Sequence, residues 1–402
     1  MIGDRMRQAR LAAGFTLAEV AERLEKVGQS ITTAGLSKYE HNKSVPSAAF
    51  LLKLARALEV KSSYFLHEPE VRVEWLAFRK HSTLPARQQA RVQATANTIA
   101  EGQFWLQTTL YPNEKPAIPA TRTVTTLVEA EAAAVDLRAV WKLGNDPIES
   151  VTQTTEDRGG IVIGWRNHTA GFDGLSGWLN DEVPVAVMDM SAPPDRRRFS
   201  LAHELGHMLL TPKSPDSKFE EKMAHRFAAA FLVPAEVARR ELGTRRRHLD
   251  FDEIGLLKER HGLSMQAWAR RALDVGIVDE AYYRNWCIEF SRRGWRKEEP
   301  YTFDGQEEPT RLKQMTLHAL AEGMITEERA LQLCPSCLTP QHTNKPAEHR
   351  YTAVELMKLP REERNRILAE AAAEAAEEYR SNSELTEFEA FGEDDLYDEY
   401  PE

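Results

Sequence analysis

Cysteine is nearly missing from this chain: 402 residues contain three, Cys287, Cys334 and Cys337. Three thiols cannot build the framework of bridges that holds small secreted domains together, so the fold has to rest on packed apolar surface. Long apolar runs are missing too. No stretch approaches the roughly eighteen apolar residues that a membrane span needs, and the opening MIGDRMRQARLAAG lacks the apolar core of a secretory leader. These absences predict a reduced, cytoplasmic protein with no membrane partner. Positive charge is absent from the far end. Nothing basic follows Arg380 and acid crowds the last stretch, whereas residues 1–66 carry more Lys and Arg than Asp and Glu. On a chain of net charge −10, a basic head and an acidic tail predict different partners at the two ends.

What is present is mostly helix. Thr16 is an N-cap for LAEVAERL, where Leu17, Val20, Ala21 and Leu24 fall on one face. TTAGLSKYE gives a short helix from Thr33 to Glu40, and Phe50, Leu51, Leu54, Ala55 and Leu58 pattern another. Five short helices make residues 1–68 an all-α domain. Residues 69–124 read as a connector: a helix through ARQQARVQATANTIAEGQFWL, then the Pro-rich linker YPNEKPAIPATR. In residues 125–300 Ala-rich helices give way to the β-type runs GIVIGWRN and VPVAVMDM, and helices resume from Phe219. Residues 301–345 suggest a helical pair, and 346–402 a helix with an acidic strip. The expected class is mainly α with a small β-sheet (α+β).

The run RRRFSLAHELGHMLL carries chemistry. A catalytic zinc takes three protein ligands and keeps one position for water. His203 and His207, four apart on a helix, reach one ion, and Glu204 between them is placed to take a proton from water activated there. Leu201, Ala202, Leu205, Met208 and Leu209 would bury the other faces. The helix FEEKMAHRFAAAFLVP offers a third ligand, Glu221, with Glu220 as the alternative. Its Ala224, Ala228 and Ala229 would let it approach closely. The competing reading is an exposed helix face with two histidines and some acids.

PDRRRFSLAHELGHMLL followed by EEKMAHRFAAAFLVPAE resembles the ImmA/IrrE family of zinc metallopeptidases, and the likeness runs over residues 126–280. It implies a zincin-like domain holding Zn2+ through His203, His207 and Glu221, with Glu204 as base. The activity implied is cleavage of one partner protein, often a repressor, at one place. Two positions depart from the family pattern: His225 replaces an Asn or Asp, and Met223 a frequent acid. His225 can orient a ligand or bind the metal itself; both stay open.

The A-E-V-A helix, the L-S-K-Y-E segment and the helix LLKLARALEV resemble the lambda-repressor-like (XRE) DNA-binding domains. That likeness implies operator DNA, bound by a homodimer. It puts Thr32, Thr33, Ala34 and Gly35 at the groove, Lys38 and Lys43 on phosphates, and Leu36 and Tyr39 in the core. Leu17 stands where the family carries a Gln, the connection EKVGQSITT is long, and the face is poor in Arg, Asn and Gln. The bland alternative is a folding or dimerisation module. LLKERHGLSMQAWARRALDVG shows a second such pattern, with Gly262 in the turn and Ser264 as N-cap, and reads as a buttress.

Cys334 and Cys337 with His342 and His349 begin like a second zinc site, but the expected fourth ligand position is Ala347. The run LPREERNRILA and the E-L-x-x-F after it resemble the C-terminal arms of antitoxins. This implies a cognate toxin held through Leu385, Phe388 and Phe391; a solvated tail is the alternative. Together these readings predict a DNA-binding transcriptional regulator carrying a site-specific zinc endopeptidase. Its target would be a repressor or partner protein in a toxin–antitoxin, phage or stress operon. The rival is an antitoxin-like repressor whose protease fold is only a scaffold.

Overall fold

A computed structural model describes residues 2–66, 71–76, 84–167, 169, 171–213, 216–335, 337, 360–361 and 363–369. Contacts divide the chain into residues 1–337 and 338–402. Within the first unit the head comprises α1 (Ile2–Ala12), α2 (Leu17–Lys26), α3 (Thr33–Glu40) and α4 (Ala48–Leu58), closed by a 3-10 turn at Ser62–Phe65. Thr16, Thr32 and Ser47 cap three of these helices, each accepting a backbone N–H from three residues on, and Glu19 completes a capping box with Thr16. Met6, Val20, Leu24, Leu36, Leu54 and Phe65 form a separate apolar core. Arg10 pairs with both carboxylate oxygens of the buried Glu40 at 2.6 and 2.7 Å, fastening α1 to α3.

The body follows: β1 (Val73–Trp75), α5 (Ala86–Leu110), β2 (Arg122–Val124), α6 (Leu127–Val140), α7 (Val151–Asp157), β3 (Ile161–Trp165), β4 (Gly174–Leu179), β5 (Val183–Asp189), α8 (Pro194–Leu209), β6 (Leu210–Pro212), α9 (Ser217–Leu232), α10 (Ala235–Leu242), α11 (Phe251–His261), α12 (Met265–Asp274), α13 (Glu280–Arg292), α14 (Arg311–Ala321) and α15 (Glu327–Leu333). This is helix around a small mixed sheet of order β1-β4-β5-β3, with β3 parallel to β5 and the other pairs antiparallel. Asn180 and Asp181 turn β4 into β5 with positive φ of 51° and 62°, the backbone that tight hairpins need and Asn and Asp tolerate. Val185 and Val187 of β5 pack with Val92, Ala96 and Ala100 of α5, while Ala186 and Met188 face the other core, shared with α8 and α9.

The connector differs from a loose link. β1 joins the sheet and α5 covers one face of it, because an Ala-lined helix lies flat on a sheet where bulkier residues would stand off. The Pro-rich stretch is pinned as well: Ala117 donates to the Arg158 carbonyl at 2.9 Å and accepts from the Trp141 indole at 2.7 Å. At the α11–α12 turn Gly262 is left-handed (φ 62°), Ser264 caps α12, and Leu263, Met265 and Trp268 sink into the helical core, as a buttress would.

Burial sets one titration inside the body. The Glu156 carboxyl, 3% exposed, accepts the Thr310 and Arg311 N–H groups at 3.1 and 3.2 Å, and desolvation pushes it up from 4.5 to about 7. A raised folded-state value favours the protonated fold. The stability it supports is fully present below about pH 4.5 and drains away as pH rises through about 7. Glu156→Gln keeps an acceptor for both amides, so it is expected to stabilise the protein by about 1–3 kcal/mol at pH 8 and by little at pH 4.5. Urea unfolding at the two pH values checks this; equal effects at both refute it.

Candidate functional site

α8 starts where β5 ends, with Pro194 at its first position and Asp195 in its first turn. Leu201, Ala202, Leu205, Met208 and Leu209 are buried, which leaves the stripe of His203 and His207 to face a cleft. α9 crosses α8 at Gly206, where a Cβ would stand 3.1 Å from the Ala224 Cα, so glycine there allows the approach. That contact brings Glu221 opposite the histidines.

The two imidazole Nε2 atoms lie 3.0 Å apart, and Glu221 oxygens lie 3.4 Å from His203 Nε2 and 3.6 Å from His207 Nε2. Donors about 2.0–2.1 Å from a tetrahedral zinc stand roughly 3.3–3.4 Å apart. The three groups therefore fit zinc, and two imidazoles with one carboxylate suit it chemically. The hydrogen bond from His203 holds the Glu221 carboxyl below its usual range, helped by charge on His207 and opposed by burial. His203 Nδ1 is buried without a hydrogen-bond partner among the described residues.

Glu204 turns toward the sheet. Ser176 Oγ on β4 donates to its Oε2 at 2.5 Å, and the bare backbone of Gly174 lies beside Oε1, 3.0 Å from where a Cβ would sit. The cleft of about 260 Å³ is walled by Leu76, Leu84, Phe172 and Ser176, with His203, Glu204, His207 and Glu221 at its base. A water or a peptide carbonyl in it meets a proton acceptor and a metal-ready donor set together.

Glu220 lies outside the converging donor group. His225 is outside it too, its ring tilted 4.5 Å from the His203 ring and stacked on Phe199 at 5.8 Å. Ser176, Gly174 and Leu76 were not expected at this site. The one signal for Ser176 and Gly174 was the hairpin WLNDEV, whose Asn-Asp marks a return strand before VPVAVMD; Leu76 had none. On the head, Thr32, Thr33, Ala34, Lys38 and Lys43 are exposed. Gly35 instead packs half-buried on Ile31, and Thr32 Oγ accepts the Gly35 N–H at 3.1 Å. Cys334 and Cys337 are bonded to each other, so the pair offers no thiolates, unlike the reduced state expected. His342, His349, Leu385, Phe388 and Phe391 lie outside the described residues. Among the described residues no helix is long and apolar enough to cross a membrane.

Comparison with known proteins finds a match in the head and another in the body. Residues 173–273 match the family model Peptidase M78, IrrE N-terminal-like domain, and residues 6–65 match a helix-turn-helix family model. The chain is 37% identical over 70 residues to the HTH-type transcriptional regulator ImmR of Bacillus subtilis (strain 168), covering 17% of this chain. The match spans about half, 51%, of that curated relative.

Proposed function

We propose that this chain, which joins a helix-turn-helix head to an IrrE-type peptidase domain, is a DNA-binding regulator that also cuts a partner protein at a single site. The target we favour is a repressor or another protein of the operon it controls, phage-derived or stress-linked. The observation that carries this reading is the convergence of His203, His207 and Glu221 beside Glu204 in one cleft.

Bound by those three side chains, zinc would supply Lewis acidity, polarising a peptide carbonyl and lowering the pKa of water to about 7. The remaining chemistry belongs to the chain. Glu204 takes a proton at a carboxylate oxygen as water oxygen bonds to the carbonyl carbon. It returns that proton to the amide nitrogen as the C–N bond breaks. Ser176 holds Glu204 in place, and Leu84 and Phe172 limit water around it. On the head, Thr33 and Ala34 are exposed at the start of α3 and would meet the groove, and the exposed Lys38 and Lys43 would serve phosphates. With so few bidentate readers, selectivity would come from DNA shape and from two heads on paired half-sites.

Incubating the zinc-loaded full chain with a quenched peptide library tests the peptidase half. Cleavage should vanish with 1,10-phenanthroline and return when zinc is restored. Cleavage indifferent to the chelator, or none on any sequence, overturns it.

A further inference from the structure

We propose that β1 and Leu76 occupy the edge of β4 along which a substrate would lie, so that the peptidase cleft opens only when this strand is released. The inference rests on the peptidase reading and concerns its regulation. Exposed strand edges take up extended peptides through backbone pairing, and β4 is the strand beside Glu204. Its outer edge is already taken. Val73, Glu74 and Trp75 pair antiparallel with Leu179, Trp178 and Gly177, and the Leu76 N–H donates to the Ser176 carbonyl at 2.9 Å. Ser176 is also the residue whose hydroxyl holds Glu204. The chain's own strand thus ends where the catalytic group begins, and Leu76 and Leu84 both stand on the cleft wall. An extended polypeptide running along β4 past Glu204 meets Leu76 within two residues of Gly174.

The covering strand is held to the sheet by little backbone pairing, with Val73 its one buried core residue. It is three residues long and paired on one side only, and short edge strands are the least costly to detach. It is also wired to the head. The Trp75 indole donates to Asn97 Oδ1 of α5 at 3.1 Å. One residue along α5, Thr98 Oγ1 accepts from the Gln8 amide of α1 at 3.0 Å, and Glu101 pairs with Arg5. At the start of α5, Arg87 binds Glu19 at 2.8 Å and the Gly14 carbonyl at 2.8 Å. A shift of the head on α5 therefore pulls on the residue that anchors β1, linking operator occupancy to access at the cleft.

Two variants loosen the strand without touching a metal donor: Trp75→Ala removes the anchor to Asn97, and Leu76→Pro removes the N–H given to Ser176. The probe is a fluorescein-labelled alanine–leucine hexapeptide hydroxamate, followed by anisotropy on the zinc-loaded full chain. Both variants should bind it at least about tenfold more tightly than the parent, and the free peptide EVRVEWL, residues 70–76, should displace it from Trp75→Ala. Amide exchange over residues 174–180 should rise in both variants. Unchanged probe affinity in both variants, at parental zinc content and melting temperature, overturns the gate and makes β1 a fixed wall. A parent chain that takes up no zinc overturns the peptidase reading itself, and the gate with it.

Discussion

Glu204→Gln is expected to lower peptide cleavage by about a thousandfold while leaving zinc content and fold unchanged. Glutamine has nearly the volume of glutamate, and its carbonyl oxygen can still accept from Ser176 Oγ, so the side chain should stay where it is. It cannot accept the proton of attacking water or deliver one to the leaving nitrogen. In the proposed mechanism both transfers run through this one group, and an interaction used only along the reaction path lowers kcat rather than raising KM. His203, His207 and Glu221 are untouched, so metal analysis should still find one zinc per chain. Steady-state kinetics on a cleaved library peptide, alongside that analysis, decides the matter. Activity within about tenfold of the parent would remove Glu204 from the mechanism.

The site was legible where it depends on helical period and opaque where it depends on strand register. His203, Glu204 and His207 announce themselves because spacing along a single helix fixes their directions, and the flanking leucines show which faces are buried. Glu221 needed a second helix, but the small residues around Ala224 marked where that helix could come close. Ser176 gave no such sign. GFDGLSGWL carries three glycines, which dilute its strand signal, and which residue meets Glu204 is set by pairing with β5, Ser176 opposite Ala186. β1 was hidden for a related reason. A three-residue strand has no period of its own, and its existence follows from β4 offering an edge. In the head the cap Thr16 lay where the sequence placed it, whereas Thr32, expected at the groove, also caps α3. Gly35 turns inward, since Ile31 packs against it and no helical wheel of α3 includes Ile31.

Three single substitutions distinguish two neighbouring glutamates and a histidine as the proposed third ligand. Zinc affinity is expected to fall by more than about a hundredfold in Glu221→Ala, since even residues that only support a ligand cost 10–100-fold. Glu220→Ala should stay within about tenfold, because one residue along a helix turns the side chain through about 100° and away from the histidines. The geometry agrees: the Glu221 oxygens reach both imidazole nitrogens at 3.4 and 3.6 Å, and Glu220 joins no donor group among the described residues. Charge acts in the same direction. With two neutral imidazoles, the donor set has one anion to offset the charge of the ion in a partly buried cleft, and alanine removes it. His225 is the informative third arm. Its ring lies against Phe199 and His203 rather than joining the donors, so His225→Ala should loosen the seat of His203 and cost about 10–100-fold, less than the loss of Glu221. Competition with a chromophoric chelator at pH 7.5 reads all three variants on one scale. If His225→Ala falls as far as is expected of Glu221→Ala while Glu221→Ala binds like the parent, the ligand set is three histidines and Glu221 is only their neighbour.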